Sequence, residues 1–257
     1  MIELDKIYNM NCLDGMKQME AESVDLSVTS PPYDNLRKYN GYCFDFEKIA
    51  RQLYRVTKQG GVVVWIVGDQ TSNGTESGSS FRQALGMMDI GFNLSDTMIW
   101  NKNNPAPVFP KKRYNQSFDY MFVFVKGLAK TFNPIKVKCK QAGRLFNSYV
   151  ETRRGNEHKI HRIFKYNETK VDNNVWSINV DKRHNGHPAK FPFELVKRHI
   201  FSWSNEGDII LDPFMGSGTT AIVARALRRH YIGFEISEEY CAIAEKELND
   251  YRSLFDL

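Results

Sequence analysis

Between Asp208 and Ala221 the chain reads Asp-Ile-Ile-Leu-Asp-Pro-Phe-Met-Gly-Ser-Gly-Thr-Thr-Ala, and this stretch limits the fold more than any other. A short apolar run ends on an acid, a glycine-rich turn follows, and a helical pattern begins. That order describes a strand, a loop whose glycines let backbone approach a ligand, and a helix N-terminus with unpaired N–H groups. The spacing Gly216-x-Gly218-x-x-Ala221 fits the loose form of a nucleotide-binding turn. Glu235 closes the next apolar run. It stands at roughly the 20-residue separation from the loop at which an acid meets ribose hydroxyls.

The rest of the chain supplies the layers around that turn. Ser23 to Val28 reads as a strand stopped by Pro31-Pro32, since consecutive prolines donate no backbone hydrogen bonds. Gly61 to Val67 and Tyr120 to Val125 are apolar runs rich in β-branched or aromatic residues, as in strands buried on both faces. Helical patterns span Cys12 to Met19 with Asn11 as cap, Glu47 to Val56, Phe81 to Met88, and a segment opened by Pro192. Asn93 to Trp100 is extended, and a last helix follows Ser237. Strands alternating with helices predict an α/β fold with a largely parallel sheet.

Charge narrows the ligand of the glycine loop. A pyrophosphate approaching this turn would meet Asp212, just before Gly216, and an unpaired carboxylate would repel it. S-adenosylmethionine carries an ammonium and a sulfonium and no phosphate, so an acid at the strand tip is expected to attract it. A triphosphate loop fits more poorly still, because Thr219 stands where its lysine belongs. The four cysteines form no Cys-x-x-Cys pair, so neither zinc nor a disulfide framework is expected, and no metal is implied. Without a signal pattern or an apolar run of spanning length, the expected location is the cytoplasm, with no membrane partner.

Ser30-Pro31-Pro32-Tyr33 carries the chemistry. Ser30 Oγ and the Pro31 carbonyl can accept hydrogen bonds from a planar exocyclic amino group, freeing its lone pair to meet an electrophile. Tyr33 offers a face on which a base stacks. Methyl transfer in such a site rests on positioning and electrostatics, with no covalent protein intermediate.

Together, Ser30-Pro-Pro-Tyr33 and Asp212-Pro-Phe-Met-Gly-Ser-Gly-Thr-Thr220 resemble the motifs of the amino-group DNA methyltransferases. The catalytic motif comes early in the chain and the cofactor motif far downstream of it, the order of the β class. His187-Pro-Ala-Lys-Phe-Pro192 is similar to the segment that closes over the methionine end of the cofactor. Gly233-Phe-Glu235 is similar to the ribose-binding acid, and Asn11-Cys12-Leu13-Asp14 to the element at the adenine, where many members have Gly-Asp-Cys. The likeness covers Ile2 to about Gly127 and His187 to about Tyr251.

The resemblance implies a Rossmann-like S-adenosylmethionine-dependent methyltransferase fold. Its mostly parallel seven-stranded sheet has one antiparallel edge strand, in circularly permuted motif order. It implies a catalytic set of Ser30, Pro31, Pro32 and Tyr33. Cofactor contacts are implied at Asn11, Cys12, Ser30, His187, Lys190, Phe191, Asp212, Pro213, Phe214, Gly216, Ser217, Gly218, Thr219, Glu235 and Ile236. Residues 1–126 and 187–257 would form two halves of one core, and 127–186 a target-recognition insert. From Gly127 to His187 there are 13 Lys plus Arg against 5 Asp plus Glu, punctuated by Phe132, Phe146, Tyr149, Phe164, Tyr166 and Trp176. This surplus of 8 exceeds the +5 of the whole chain, as expected of a segment that meets phosphates.

Double-stranded DNA is therefore the implied partner, with the target base flipped out of the stack. The basic pair Arg37-Lys38 is expected near the displaced strand, and Asp69 is expected either near the site or as a cap on the next segment. A homodimer and a separate restriction endonuclease are further partners that the resemblance suggests, in a bacterial or phage-encoded protein associated with the nucleoid through DNA. Serine in the first catalytic position is commoner in members that methylate cytosine N4, so cytosine is favoured and adenine N6 is the alternative. Methylation of cytosine carbon five would need a cysteine beside a proline, and none of the four has that setting. The rivals are a catalytically silent DNA-binding relative and an RNA methyltransferase.

Overall fold

Strands and helices alternate along residues 2–32, 44–105, 113–151, 159–181 and 191–255, which the computed structural model describes. From the N-terminus they are β1 (Lys6–Asn9), α1 (Cys12–Lys17), β2 (Val24–Thr29), α2 (Phe46–Val56), β3 (Thr57–Val67), β4 (Thr71–Ser72), β5 (Thr75–Glu76), α3 (Ser79–Ile90), β6 (Asn93–Lys102) and β7 (Phe118–Val125). There follow β8 (Lys136–Lys138), β9 (Leu145–Glu151), β10 (Lys159–Lys165), β11 (Thr169–Val171), β12 (Val175–Ile178), α4 (Phe193–Trp203), β13 (Ile209–Asp212), α5 (Thr219–Ala226), β14 (His230–Glu235) and α6 (Glu238–Phe255). They form two compact units, residues 1–133 with 174–257, and residues 134–173.

The first unit is built on a sheet of order β1-β14-β13-β2-β3-β7-β6-β12. It contains the seven expected strands plus β12, which pairs parallel to β6 at the edge. All neighbours are parallel except β7, which runs antiparallel to both β3 and β6. The antiparallel strand is therefore interior, not at the edge as the resemblance implied. β7 follows β6 with no helix between them among the described residues, and the chain returns antiparallel beside β6, between it and β3.

The apolar runs explain the layers. Along β3, Val63, Trp65 and Val67 pack with Ile49 and Leu53 of α2, Met87 of α3 and Met16 of α1. Val62, Val64 and Ile66 alternate with them and are equally buried on the other face. Helices α4, α5 and α6 pack against one another in sequence and lie outside that cluster. A strand apolar at every position is thus covered on both sides. Caps fix the helix starts: Asn11 Oδ1 accepts from Leu13 N at 2.8 Å and Asp45 Oδ1 from Lys48 N at 3.2 Å.

Residues 134–173 form two antiparallel ladders, β8 with β11 and β9 with β10. Phe146 lies 5.5 Å from Phe164 and 4.5 Å from Tyr166, ring centre to ring centre. This unit is narrower than the segment 127–186 read from composition, because Val175–Ile178 joins the main sheet. Trp176, grouped above with the aromatics of the basic segment, belongs to the first unit instead. It is 5% exposed and packs 4.7 Å from the ring of His199 on α4.

Candidate functional site

Chain winding reverses in the middle of the large sheet. β13 leads through α5 to β14 on one side, whereas β2 leads through α2 to β3 on the other. Ligands of open α/β sheets bind outside the carboxyl ends of the strands at such a reversal. Here those ends are Thr29, directly before Ser30-Pro31-Pro32, and Asp212, directly before the glycine loop. The fold brings the two motifs side by side although Thr29 and Asp212 stand 183 positions apart.

Asp212 is not the unpaired carboxylate that the sequence suggested. Its side chain is 1% exposed and faces inward, not toward an open cleft. Oδ1 accepts from Thr29 Oγ1 at 2.6 Å and from Phe214 N at 3.0 Å, while Oδ2 accepts from Thr220 Oγ1 at 2.7 Å. The carboxylate is held by an internal clamp. The cause is depth: hydroxyls on the neighbouring strand and helix reach the carboxylate first. Burial pushes its pKa from 3.8 up to about 6, against the lowering effect of those three donors.

The glycine loop is held open by backbone conformation. Gly216 and Gly218 both have positive φ, 55° and 84°. A Cβ on Gly218 would also meet Ala244 Cβ of α6 at 2.9 Å, so the loop and the last helix fit only around a glycine. Glu235 Oε2 accepts from Gly216 N at 2.8 Å and Oε1 from Ser237 N at 2.8 Å. Ile236 N is a third backbone donor, and since an ionised carboxylate has about four lone-pair positions, about one remains for a ribose hydroxyl. Burial raises the Glu235 pKa, opposed by these backbone donors. Thr219 Oγ1, at the start of α5, is enclosed without a hydrogen-bond partner among the described residues. A helix N-terminus, an unused hydroxyl and an acid with a spare acceptor position fit a nucleoside that also bears a carboxylate.

The other residues named from the sequence lie at several depths. Ser30 and Pro32 are half-buried and Pro31 is buried at the end of β2, while Tyr33 lies outside the described residues, as do Arg37 and Lys38. His187 and Lys190 also lie outside them, and Phe191 is half-buried just before α4. Asn11 uses its side chain as the α1 cap, and Cys12 is buried behind it. Pro213 and Ser217 are buried, and Phe214 packs its ring 5.9 Å from Phe44 and 6.3 Å from Trp65. Ile236, next to Glu235, is 46% exposed. Asp69 takes the capping role: it accepts from Ser80 N at 3.0 Å and from the hydroxyls of Ser77, Ser79 and Ser80 at the start of α3.

Sequence reasoning missed Thr29, Thr220 and Asn9. Asn9 Nδ2 donates to the carbonyls of Glu235 and Ile236 at 3.0 and 3.2 Å, fixing the tip of β14. Nothing in the sequence marked Asn9. Thr29 and Thr220 each sat inside a quoted motif or beside one, and a hydroxyl next to a motif that ends on a buried acid was the available signal.

Within residues 134–173, a groove of about 660 Å³ is lined by Lys136, Lys165, Lys170, Phe146, Phe164 and Tyr166, among others. Exposed ammonium groups beside aromatic faces suit a polyanion with stacking bases. Among the described residues no three His, Cys, Asp or Glu side chains gather as metal ligands, and no helix is long and apolar enough to cross a membrane.

Comparison with known proteins agrees with this geometry. The N6/N4 family model described as DNA methylase matches residues 24–246. The orphan methyltransferase M.BamHII of Bacillus amyloliquefaciens is 51% identical over 240 residues, 89% of this chain and 90% of its own length. The crystal structure of the M1.HpyAVI–SAM complex is 25% identical with a TM-score of 0.60, covering 94% of this chain and 98% of the other. The cytosine-N4-specific PvuII DNA methyltransferase has the same fold at 20% identity, with a TM-score of 0.69 over 96% of this chain and 91% of its own.

Proposed function

The chain belongs to the N6/N4 DNA methylase family, and from that premise we propose that it methylates the exocyclic N4 amino group of cytosine in double-stranded DNA. It is a site-specific DNA methyltransferase, and its cofactor is S-adenosylmethionine. When bound, the cofactor supplies an electrophilic methyl group on a sulfonium.

The observation that supports the reading is the meeting of two strand ends at the sheet's reversal. Ser30 and Pro31 follow the end of β2, and the glycine loop follows the end of β13. In the proposed mechanism the glycine loop, Thr219 and the start of α5 receive the carboxylate end of the cofactor. Glu235 accepts from one of its ribose hydroxyls. Ser30 Oγ and the Pro31 carbonyl accept from the target amino group and turn its lone pair toward the methyl group, while Tyr33 stacks on the flipped base. After transfer the amino nitrogen carries a positive charge and is strongly acidic, so it releases its extra proton to solvent, while Ser30 Oγ and the Pro31 carbonyl act only as hydrogen-bond acceptors. Serine at position 30 supports cytosine N4 over adenine N6. Residues 134–173 with their surplus of lysine and arginine hold the duplex through its phosphates.

Expression in a host free of DNA methylation, followed by single-molecule sequencing of its DNA, tests the reading. N4-methylcytosine at one recurring sequence is the expected result. N6-methyladenine at a recurring sequence would replace cytosine by adenine, and unmodified DNA would remove the enzymatic reading. In the same assay Tyr33→Ala is expected to abolish methylation while the purified variant still binds S-adenosylmethionine.

A further inference from the structure

Thr29 and Thr220 belong to distant parts of the chain, yet each gives its hydroxyl proton to a different oxygen of one carboxylate. We propose that Thr29 is a positioning residue for methyl transfer, holding the Ser30-Pro31-Pro32 turn in register with the cofactor loop through Asp212. The proposal rests on the methyltransferase reading above.

The backbone alone does not provide this register. Pairing between β2 and β13 covers Leu26 with Ile210 and Ser27 with Leu211, and stops there. Beyond that point the two strand tips lead into their separate loops. Thr29 Oγ1 donates across the tips to Asp212 Oδ1 at 2.6 Å. The same oxygen accepts from Phe214 N in the turn, and the other accepts from Thr220 Oγ1 in α5. One rigid carboxylate is thereby tied to the catalytic strand, the cofactor turn and the helix that follows it.

Thr29 is well placed to transmit position. It is fully buried, its Cβ is branched, and its backbone is paired with Trp65 on β3, so its side chain has little freedom to rotate. One peptide bond separates it from Ser30, whose hydroxyl faces the reacting amino group in the proposed mechanism. A tilt of the β2 tip by a fraction of an ångström would misalign acceptor and methyl donor, which is where transfer rates are lost. The clamp also has an electrical side. No salt bridge reaches Asp212 among the described residues, so hydroxyl and N–H donors hold its charge. Glu235 on β14 is the charged group that faces it, and it pushes the Asp212 pKa in the same direction as burial does. Loss of the Thr29 donor raises that pKa further, so the acid limb of the rate profile moves to higher pH.

The two threonines then separate in their effects. Thr29→Val removes the tie to the catalytic strand and leaves the cofactor side anchored by Thr220 and Phe214 N. Thr220→Val does the opposite. In steady-state transfer of labelled methyl groups to duplex DNA, Thr29→Val is expected to lower kcat about tenfold or more, with S-adenosylmethionine Kd changed less than about threefold. Thr29→Ser keeps the donor and is expected to hold kcat within about threefold of the wild type. Thr220→Val is expected to weaken cofactor binding about tenfold, with the smaller effect on kcat at saturation.

Should Thr29→Val fail to fold, Thr29→Cys, close in shape and a weak donor, is expected to lower kcat severalfold with unchanged cofactor Kd and an acid limb at higher pH. Wild-type kcat and an unmoved acid limb in Thr29→Val or Thr29→Cys would overturn the role of Thr29. So would a Thr29→Ser chain as slow as Thr29→Val, since packing and not the hydroxyl would then matter. A wild-type chain that binds S-adenosylmethionine but transfers no methyl group to DNA overturns the functional reading, and the positioning role with it.

Discussion

In the unit formed by residues 1–133 and 174–257 charge is balanced and burial is deep, whereas residues 134–173 are strongly basic and their described side chains are mostly exposed. The small unit has ten Lys plus Arg against four Asp plus Glu, a net charge of +6. The whole chain carries +5, which leaves the large unit at −1. The large unit buries even its acids, Asp212 and Glu235, and gives both of them donors. The small one leaves Phe146 36% and Phe164 38% exposed beside lysine ammonium groups. Alignment of reacting atoms needs a rigid frame, and only close packing supplies it. Contact with a polyanion needs charges kept in water until the moment of binding, so they cannot be packed away. The proposed function divides the work along this contrast: the first unit for cofactor and chemistry, the second for the duplex.

The largest expected effect that tests this division is in the buried acid. The Asp212 pKa is raised, so the unfolded chain gives up this proton at lower pH than the folded one. Its contribution to stability is full below about pH 4, falls as pH rises, and is lost above about pH 6, a swing of about 3 kcal/mol. Asp212→Asn is expected to flatten that part of the stability curve, measured by denaturant titration across pH. An unchanged slope would mean that the carboxylate is better solvated than its burial implies. Gly218→Ala comes next. A positive φ and the 2.9 Å approach to Ala244 are expected to lower stability by about 2 kcal/mol and to weaken cofactor binding, leaving the salt dependence of DNA binding as it was. The smallest effects belong to the surface. Each of Lys136→Gln, Lys165→Gln and Lys170→Gln is expected to reduce the slope of log affinity against log salt by about 1, with cofactor Kd and thermal stability unchanged. A lysine substitution that instead altered cofactor affinity would break the separation of the two units.

Legibility followed the same line. Periodicity revealed the elements of the large unit because each strand or helix buries a face: Val62 to Val67 could hardly be read as anything but a strand covered on both sides. The two motifs gave their own loop geometry, since prolines end β2 and glycines turn the chain after β13. Side-chain destinations were harder. That Asp212 is buried and already paired could not be read, because a one-dimensional string carries no depth and its hydroxyl donors come from β2 and α5. β12 was invisible for another reason. Val175-Trp-Ser-Ile178 is a single short strand that buries only Trp176 and Ile178, too little signal to stand out at the edge of a basic segment. In residues 134–173 composition pointed to a polyanion partner, but β8 and β11 are only three residues each, too short for a periodic pattern to stand out.

The strand order has a consequence for how the protein is made. β2 lies between β13 and β3, yet β13 is synthesised long after β2, and β1, made first of all, waits for β14 before it can join the sheet. On the ribosome, β2, β3, β7 and β6 can assemble first, with Val24–Thr29 exposed as a raw, apolar sheet edge through the whole synthesis of residues 134–173. Such an edge invites pairing with other nascent chains. The C-terminal part of the chain thus has a second task before any cofactor arrives: β13 must seal that edge. Truncations that remove β13 and β14 are expected to be retained by chaperones or to aggregate, and the slow step of refolding to be the docking of this final segment.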